Sequence, residues 1–291
     1  MRIDAGFLQD LVRQASTLVY RQSDIAQQLS SGTRLTTLAA DPAAAAASVR
    51  LSSDLAERGA TLTAMQLTQS RLQSADSALA AVVERLTSAV SLAVQAANDT
   101  TGTGDRAALA TQLFGIKGSV LTLANSSLDG NYLFAGTSGS EPFHQDAGGS
   151  VTYSGDDVST SLSAGGNTIQ ASAAGSAVFG TGSSSIFSRL DSVVQSLQQG
   201  QTLSANQVSD LRASLQTIIE QRSLLGTSGS RLQSVAAYTK TQQADLQVQQ
   251  TEVAASDPVA LATELSAAQT QRQALLSSLA ILGKGSLFDY L

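Results

Sequence analysis

"LSSGTRLTTLAADPAAAAASVRLSSDL", residues 29–55, closes one periodic apolar run, breaks, and opens another. Asp41 stands where a carboxylate can accept from the first free backbone N–H groups of a helix. Pro42 falls at the first helical position, where its missing N–H costs nothing. Ala43 to Ala47 then propagate the helix. Ser30 to Ala40, with Gly32 and several hydroxyl residues, reads as a loop between two helices. The device recurs as Asp257-Pro258, ahead of the last periodic run. Helices stopped and restarted in this way near both ends of a chain predict a fold built from long helices.

Working outward, four segments keep apolar residues three and four apart. The first is Leu8, Leu11, Ala15, Leu18, Gln22, Ile25 and Leu29. The second runs Leu51, Leu55, Arg58, Leu62, Met65, Gln69, Leu72, Asp76, Leu79, Val83, Leu86, Val90, Ala93 and Ala97. A third is Leu109, Leu113, Ile116, Val120 and Leu123, and the last is Leu261, Leu265, Ala268, Arg272, Leu275, Leu279 and Leu282. A further helix is expected over Ser204 to Val253, with a seam of Val208, Leu211, Leu215, Ile218 and Leu225, resumed at Leu232, Val235 and Leu246. Gly226 and Gly229 interrupt that seam and are expected to weaken or bend the helix, at about 1 kcal/mol each relative to Ala. A shorter helix is expected from Ile186 to Leu197. Seams repeating every 3.5 residues suit coiled coils and long bundles.

Residues 136–185 are different: rich in Gly, Ser and Thr, with short alternating pieces "SVTYS", "VSTSLS" and "NTIQAS" bounded by turns. Phe143, Tyr153, Val158, Ile169 and Phe179 are spaced as a small β core needs. The expected fold is therefore mainly α: a long coiled-coil-like bundle formed by N- and C-terminal arms, with a small β-rich central insertion projecting from a helical shaft. The expected division is 1–40 with 255–291 as terminal arms, 41–135 with 186–254 as the shaft, and 136–185 as an outer domain.

Composition narrows the function. Charged residues are 14% and aromatics 4% of the 291 residues, Trp and Cys are absent, and the net charge is −6. Aromatics supply much of the buried area of compact cores and pockets, so narrow aliphatic seams are the expected core. No basic stripe exists to neutralise phosphates, which argues against nucleic acid. Without Cys there is no disulfide frame, thiolate zinc site or thiol nucleophile. The N-terminus mixes charges into its apolar residues and does not read as a cleavable signal peptide. No run of about eighteen consecutive apolar residues is present, so no membrane span is expected.

Catalytic motifs are not found. His144 is the one histidine, in the Gly/Ser-rich insertion, and reads as a solvated residue with no second His to complete a zinc site or triad. Asp156-Asp157 reads as a polar turn, lacking the spacing of a calcium loop. "GKGS" at 283–286 lacks the upstream glycine of a P-loop. The reading is a non-enzyme that needs no cofactor. A single amphipathic helix of some 25 residues is marginal in water. Both termini are thus expected to be loose in the monomer and to fold when neighbouring subunits bury them.

These pieces together resemble the bacterial flagellins and their relatives. The N-terminal signature of that family is matched at Ser31, Gly32, Arg34, Asp41 and Pro42, with Ala40 where a first Asp is usual. "ANSSLDGNYLFAGTSGSEPF" (124–143), which carries Asn131, Phe134 and Gly136, is similar to the hook–filament junction branch of the family. So are "DPVALATELSAAQTQRQALLSS" (257–278) and the ending "SLFDYL". The resemblance implies a structural adaptor exported by the flagellar type III system, briefly cytoplasmic and then extracellular in the flagellum. It implies assembly through Leu8, Leu11, Leu18, Ile25 and Leu29 at one end and Leu261, Leu265, Leu275, Leu279 and Leu282 at the other. The implied partners are like subunits in a ring, the first hook-associated protein, flagellin and an export chaperone, with neither nucleic acid nor membrane. A flagellin filament subunit, a coiled-coil scaffold unrelated to flagella, and an enzyme carried on a helical scaffold stay open as alternatives.

Overall fold

The chain was analysed as a computed structural model, which describes residues 5–35, 41–98, 102–164 and 166–287. Three helices come first: α1 (Ala5–Ser31), α2 (Pro42–Ala96) and α3 (Thr103–Ala124). Three antiparallel strand pairs follow: β1 (Ser127–Leu128) with β2 (Asn131–Tyr132), β3 (Phe143–Gln145) with β4 (Val151–Tyr153), and β5 (Ser161–Ala164) with β6 (Asn167–Gln170). A short α4 (Gly175–Phe179) leads through a 3-10 turn into α5 (Ile186–Gln198), α6 (Ala205–Ala254) and α7 (Pro258–Leu287). The fold is mainly α with long terminal helices and small strand pairs at its centre. Two compact units emerge: Met1–Arg58 with Gln242–Leu291, and Gly59–Thr241. Helices α2 and α6 contribute residues to both.

The second unit holds most of the buried apolar side chains. From Leu72 on, the buried seam of α2 runs Leu72, Ala75, Leu79, Val82, Leu86, Ala89, Ala93 and Ala96, spaced alternately three and four apart. Over this stretch every second position of the expected seam is thus shifted by one residue. Ala75, Val82, Ala89 and Ala96 are inside, while Asp76, Val83, Val90 and Ala97 sit at its edge. Small alanines let a neighbouring element approach closely, so the seam follows them. Similar one-residue shifts occur on α3, where Lys117 is buried and Ile116 is at the edge, and on α6, where Ser214 is buried and Leu215 is not. Helix α6 runs unbroken through Gly226 and Gly229, and Gly229 lies buried in the seam it was expected to interrupt.

The strand pairs do not form one sheet, and they build no core of their own. A lone hairpin is marginal in water, so each leans on helices. Phe143 of β3 packs 5.2 Å from Phe179 of α4 and 5.4 Å from Phe187 of α5, and Phe134 meets Phe179 edge-on at 5.3 Å. The aromatic cluster therefore draws on both flanks of the insertion. Ile169 is buried as expected, whereas Val158 is 53% exposed and no part of the core.

On average hydropathy, as distinct from consecutive apolar residues, α2 and α3 are long and apolar enough to cross a membrane by length and composition. Both contribute buried residues to the packing of this unit, and α3 holds two cationic side chains, Arg106 and Lys117, inside it.

Candidate functional site

In the first unit α1 and α7 pair antiparallel. Arg21 Nη2 donates to Glu264 Oε1 at 3.2 Å, and Arg272 Nη1 donates to Gln22 Oε1 at 3.2 Å. Both helices follow the expected seams, yet the cover is thin. Ile25, Leu261 and Ala268 are buried; Leu11, Leu18, Leu265, Leu275 and Leu279 are half-buried. Leu29 departs from expectation: it is 41% exposed, and Gln28 takes the covered position. The side chains of Leu8 and Leu282, Ala40, and the last residues of "SLFDYL" lie outside the described residues. Val12, Val19, Tyr20, Val259 and Leu276 face solvent. A groove of about 570 Å³ between the two helices is floored by Leu18, Ala274 and Leu275. This is a partly apolar surface left half open, edged by Gln14, Thr17, Arg21, Gln271 and Ser278.

The signature residues form the joint at which this pair begins. Helix α1 ends on Gly32, whose φ of +68° is the left-handed conformation that glycine adopts without strain. Its N–H donates to Gln28 O at 2.9 Å. Thr33 then pairs with Ala255 as an antiparallel bridge. Arg34 N donates to Ala254 O at 2.7 Å, and Ser256 N donates to Gly32 O at 3.2 Å. Arg34 also reaches two ways with its guanidinium: Nη1 donates to Asp41 Oδ2 at 2.8 Å, and Nη2 donates to Val253 O at 3.0 Å. Asp41 Oδ1 meanwhile accepts from Ala44 N at 3.0 Å, capping α2 as its sequence requires. The Ala44 N–H first, and Arg34 second, hold the Asp41 carboxyl below its ordinary value. Asp257 caps α7 in the same manner, accepting from Val259 N at 2.9 Å and Ala260 N at 3.2 Å. Ser31 exchanges hydroxyl contacts with Thr33 at 3.1 Å.

The other motif residues sit in the second unit, and the structure does not bring them to the joint. Asp129 and Gly130, with φ of 51° and 79°, make the two-residue turn that carries β1 into β2, and Asn131 Nδ2 donates back to Asp129 O at 3.3 Å. Phe134 is fully buried. Gly136 has φ +72°, and a Cβ there would lie 1.8 Å from Asp156 Oδ1, so this position excludes any side chain. Asp156 accepts from Thr137 N at 2.7 Å and from the Thr137 hydroxyl, and these bonds lower its pKa. Asp157 is engaged by the Ser176 hydroxyl. The two carboxylates thus serve the turn. His144 is exposed on β3, 3.8 Å from Glu141, and "GKGS" lies within the helical backbone of α7. Among the described residues no three His, Cys, Asp or Glu side chains gather to hold a metal.

Sequence reasoning missed the polar contact inside the second unit. Lys117 on α3 is buried, with Nζ donating to Asp191 Oδ1 on α5 and to Gly149 O in the β3–β4 turn. The signal was present: a lysine between Leu113 and Val120, and an aspartate between Leu190 and Val194, each a charge set into an apolar run.

Comparison with known proteins agrees with this architecture. Residues 14–139 match the bacterial flagellin N-terminal helical region, and residues 211–291 match the bacterial flagellin C-terminal helical region. Flagellar hook-associated protein 3 of Salmonella typhimurium is 37% identical over 128 residues, 43% of this chain and 40% of that protein. The match thus spans about two fifths of that relative's length. Among solved structures, FlgL of Bacillus cereus superposes with a TM-score of 0.53 at 22% identity, over 64% of this chain and 98% of its own. The flagellar junction protein FlgL of Legionella pneumophila gives 0.52 at 15% identity, over 59% and 94%. With both helical regions matched in order, and together covering more than half of its length, the chain belongs to the bacterial flagellin family.

Proposed function

We propose that this protein is a structural subunit of the bacterial flagellum, an adaptor between the hook and the flagellin filament. The carrying observation is the terminal pair: two amphipathic helices from opposite ends of the chain that cover only part of each other's apolar surface. Apolar area removed from water contributes roughly 25 cal/mol per Å², so the open flanks of α1 and α7 favour burial against further helices of the same kind. Like subunits in a ring meet that need. The relatives' names, hook-associated protein 3 and flagellar junction protein, support the junction as the place, with the first hook-associated protein on one side and flagellin on the other. Export through the flagellar type III route, with a chaperone on the C-terminal helix, completes the reading, and the chemistry asked of the chain is packing alone.

Deleting the gene and imaging the flagella tests this. Loss of the junction leaves hooks in place while flagellin escapes into the medium; normal filaments in the deletion strain overturn the proposal. Immunolabelling of sheared flagella sharpens it. A single band beside the hook is expected, whereas label along the whole filament identifies a filament subunit instead.

A further inference from the structure

The seams of α1 and α7 pose a problem that apolar contact alone does not solve. Both repeat every seven residues, so sliding one helix past the other by a heptad still sets apolar residues opposite apolar ones at most seam positions. Such a slip moves the helix by about 10 Å and shortens the overlap by a heptad, yet keeps apolar partners along the rest of the seam. The cross-pair polar contacts, Arg21 with Glu264 and Arg272 with Gln22, are solvent-exposed, and exposed pairs of this kind hold geometry weakly. Something else must choose the register.

We propose that Arg34 is the register-setting residue of the terminal helix pair: by donating to Asp41 and to the Val253 carbonyl at once, it clamps the link between α1 and α2 onto the link between α6 and α7. Three observations meet at this point. The guanidinium touches the start of α2 and the end of α6 within 3.0 Å. The backbone on either side of it is already bridged, Thr33 to Ala255, with Arg34 N on Ala254 O. Finally, α7 starts only three residues beyond that bridge, at Pro258, and α1 ends two residues before it, at Ser31. Fixing the bridge therefore fixes which residue of α1 faces which residue of α7, Ile25 and Leu261 being the first apolar pair inward. Lysine is a poor replacement for this arginine, since its single nitrogen lacks the guanidinium's fork, in which two separate nitrogens reach the two acceptors. The backbone bridge is a single residue pair, Thr33 with Ala255, and the two-acceptor contact adds a side-chain constraint that this pair lacks. The consequence for assembly rests on the proposed flagellar function, but the register itself is a property of the isolated chain.

The absence of cysteine makes the test direct. Spin labels are placed on the full-length protein at Gln27→Cys with Ala262→Cys, both exposed and close to the joint, and pulsed-dipolar distances are measured. The expected result is one narrow distance in the parent and, in Arg34→Ala and Arg34→Lys, a broadened distribution with a second population displaced by about a heptad's length. Asp41→Asn keeps an oxygen to cap α2 but loses the charged arm, and is expected to broaden the distances as Arg34→Ala does. A narrow, unshifted distance in Arg34→Ala overturns the proposal, as does a broad one in the parent, because the joint then sets nothing. A narrow distance in Asp41→Asn overturns the ionic clamp as its cause. Localisation of the protein in sheared flagella is scored separately, so a failed clamp and a failed junction reading stay distinguishable.

Discussion

Two parts of the molecule carry the same kind of heptad pattern and put it to different use. In the second unit, α2, α3, α5 and α6 each bury a continuous line of side chains, and Phe134, Phe143, Phe179 and Phe187 fill the space where the hairpins meet the helices. In the terminal pair of the first unit, α1 and α7 bury Ile25, Leu261 and Ala268 and leave leucines half covered. Periodicity therefore says that a helix has an apolar face; the number of neighbours decides whether the face is satisfied. The second unit holds its own partners within one chain, and the terminal pair is an open surface.

The sharpest way to break this contrast is to place a charge on the open surface. Leu275→Asp or Leu279→Asp is expected to abolish incorporation into flagella while leaving the unfolding of the second unit unchanged by calorimetry. Normal incorporation would mean that the terminal seam is not an assembly surface. Next, Phe187→Ala is expected to cost about 3–5 kcal/mol in denaturant unfolding, because it opens a cavity in a closed core. Leu18→Ala, on the half-covered seam, is expected to cost well under half of that. Equal costs would erase the distinction between the two regions.

The buried pair offers a third handle. Asp191→Ala strands the Lys117 ammonium in a site only 2% exposed, and about 3 kcal/mol of stability is expected to be lost. The double variant Lys117→Met with Asp191→Leu is expected to return near the parent, since neither charge is then left alone. Amide exchange on the dilute monomer gives a graded comparison: strong protection at Leu113 and Leu190, weak protection at Leu18 and Leu275. Strong protection at the last two would show that the pair, ordered in one register when closed, opens no more readily than the closed core.

The smallest expected effect concerns pH. Asp41 and Asp156 titrate below their unfolded value of 3.8 because backbone and hydroxyl donors hold their carboxylates charged. The folded chain then binds fewer protons than the unfolded one, so their contribution is complete above about pH 5 and fades as pH falls through the unfolded and then the lowered folded values. In Asp41→Asn the acid-side decline measured by thermal unfolding is expected to be shallower, most visibly in the first unit.

Much of the site was legible beforehand where the cause is local. Asp41 and Asp257 cap because a carboxylate before Pro and a helical run has N–H groups to accept from, and the structure shows both bonds. The motif residues Ser31, Gly32 and Arg34 were recognisable, but the acceptor on Val253 lies 219 residues away from Arg34 and no local rule points to it. Reading the seams by hydrophobicity preferred the larger or more apolar of two neighbours: Ile116 over Lys117, Leu215 over Ser214, Leu29 over Gln28. The structure inverts these choices because partners across the packing, Asp191 for Lys117 and Arg189 for Ser214, satisfy polar groups that a local reading places outside.

By itself the sequence settled that acidic caps start α2 and α7 and that long α elements frame a short β-rich stretch, since capping and period act over a few residues. Which of two adjacent residues turns inward, which hairpin leans on which helix, and how far each seam is covered were decided only by tertiary structure. Those outcomes depend on the atoms an element meets from distant parts of the chain, and their energies exist only once both surfaces have left water.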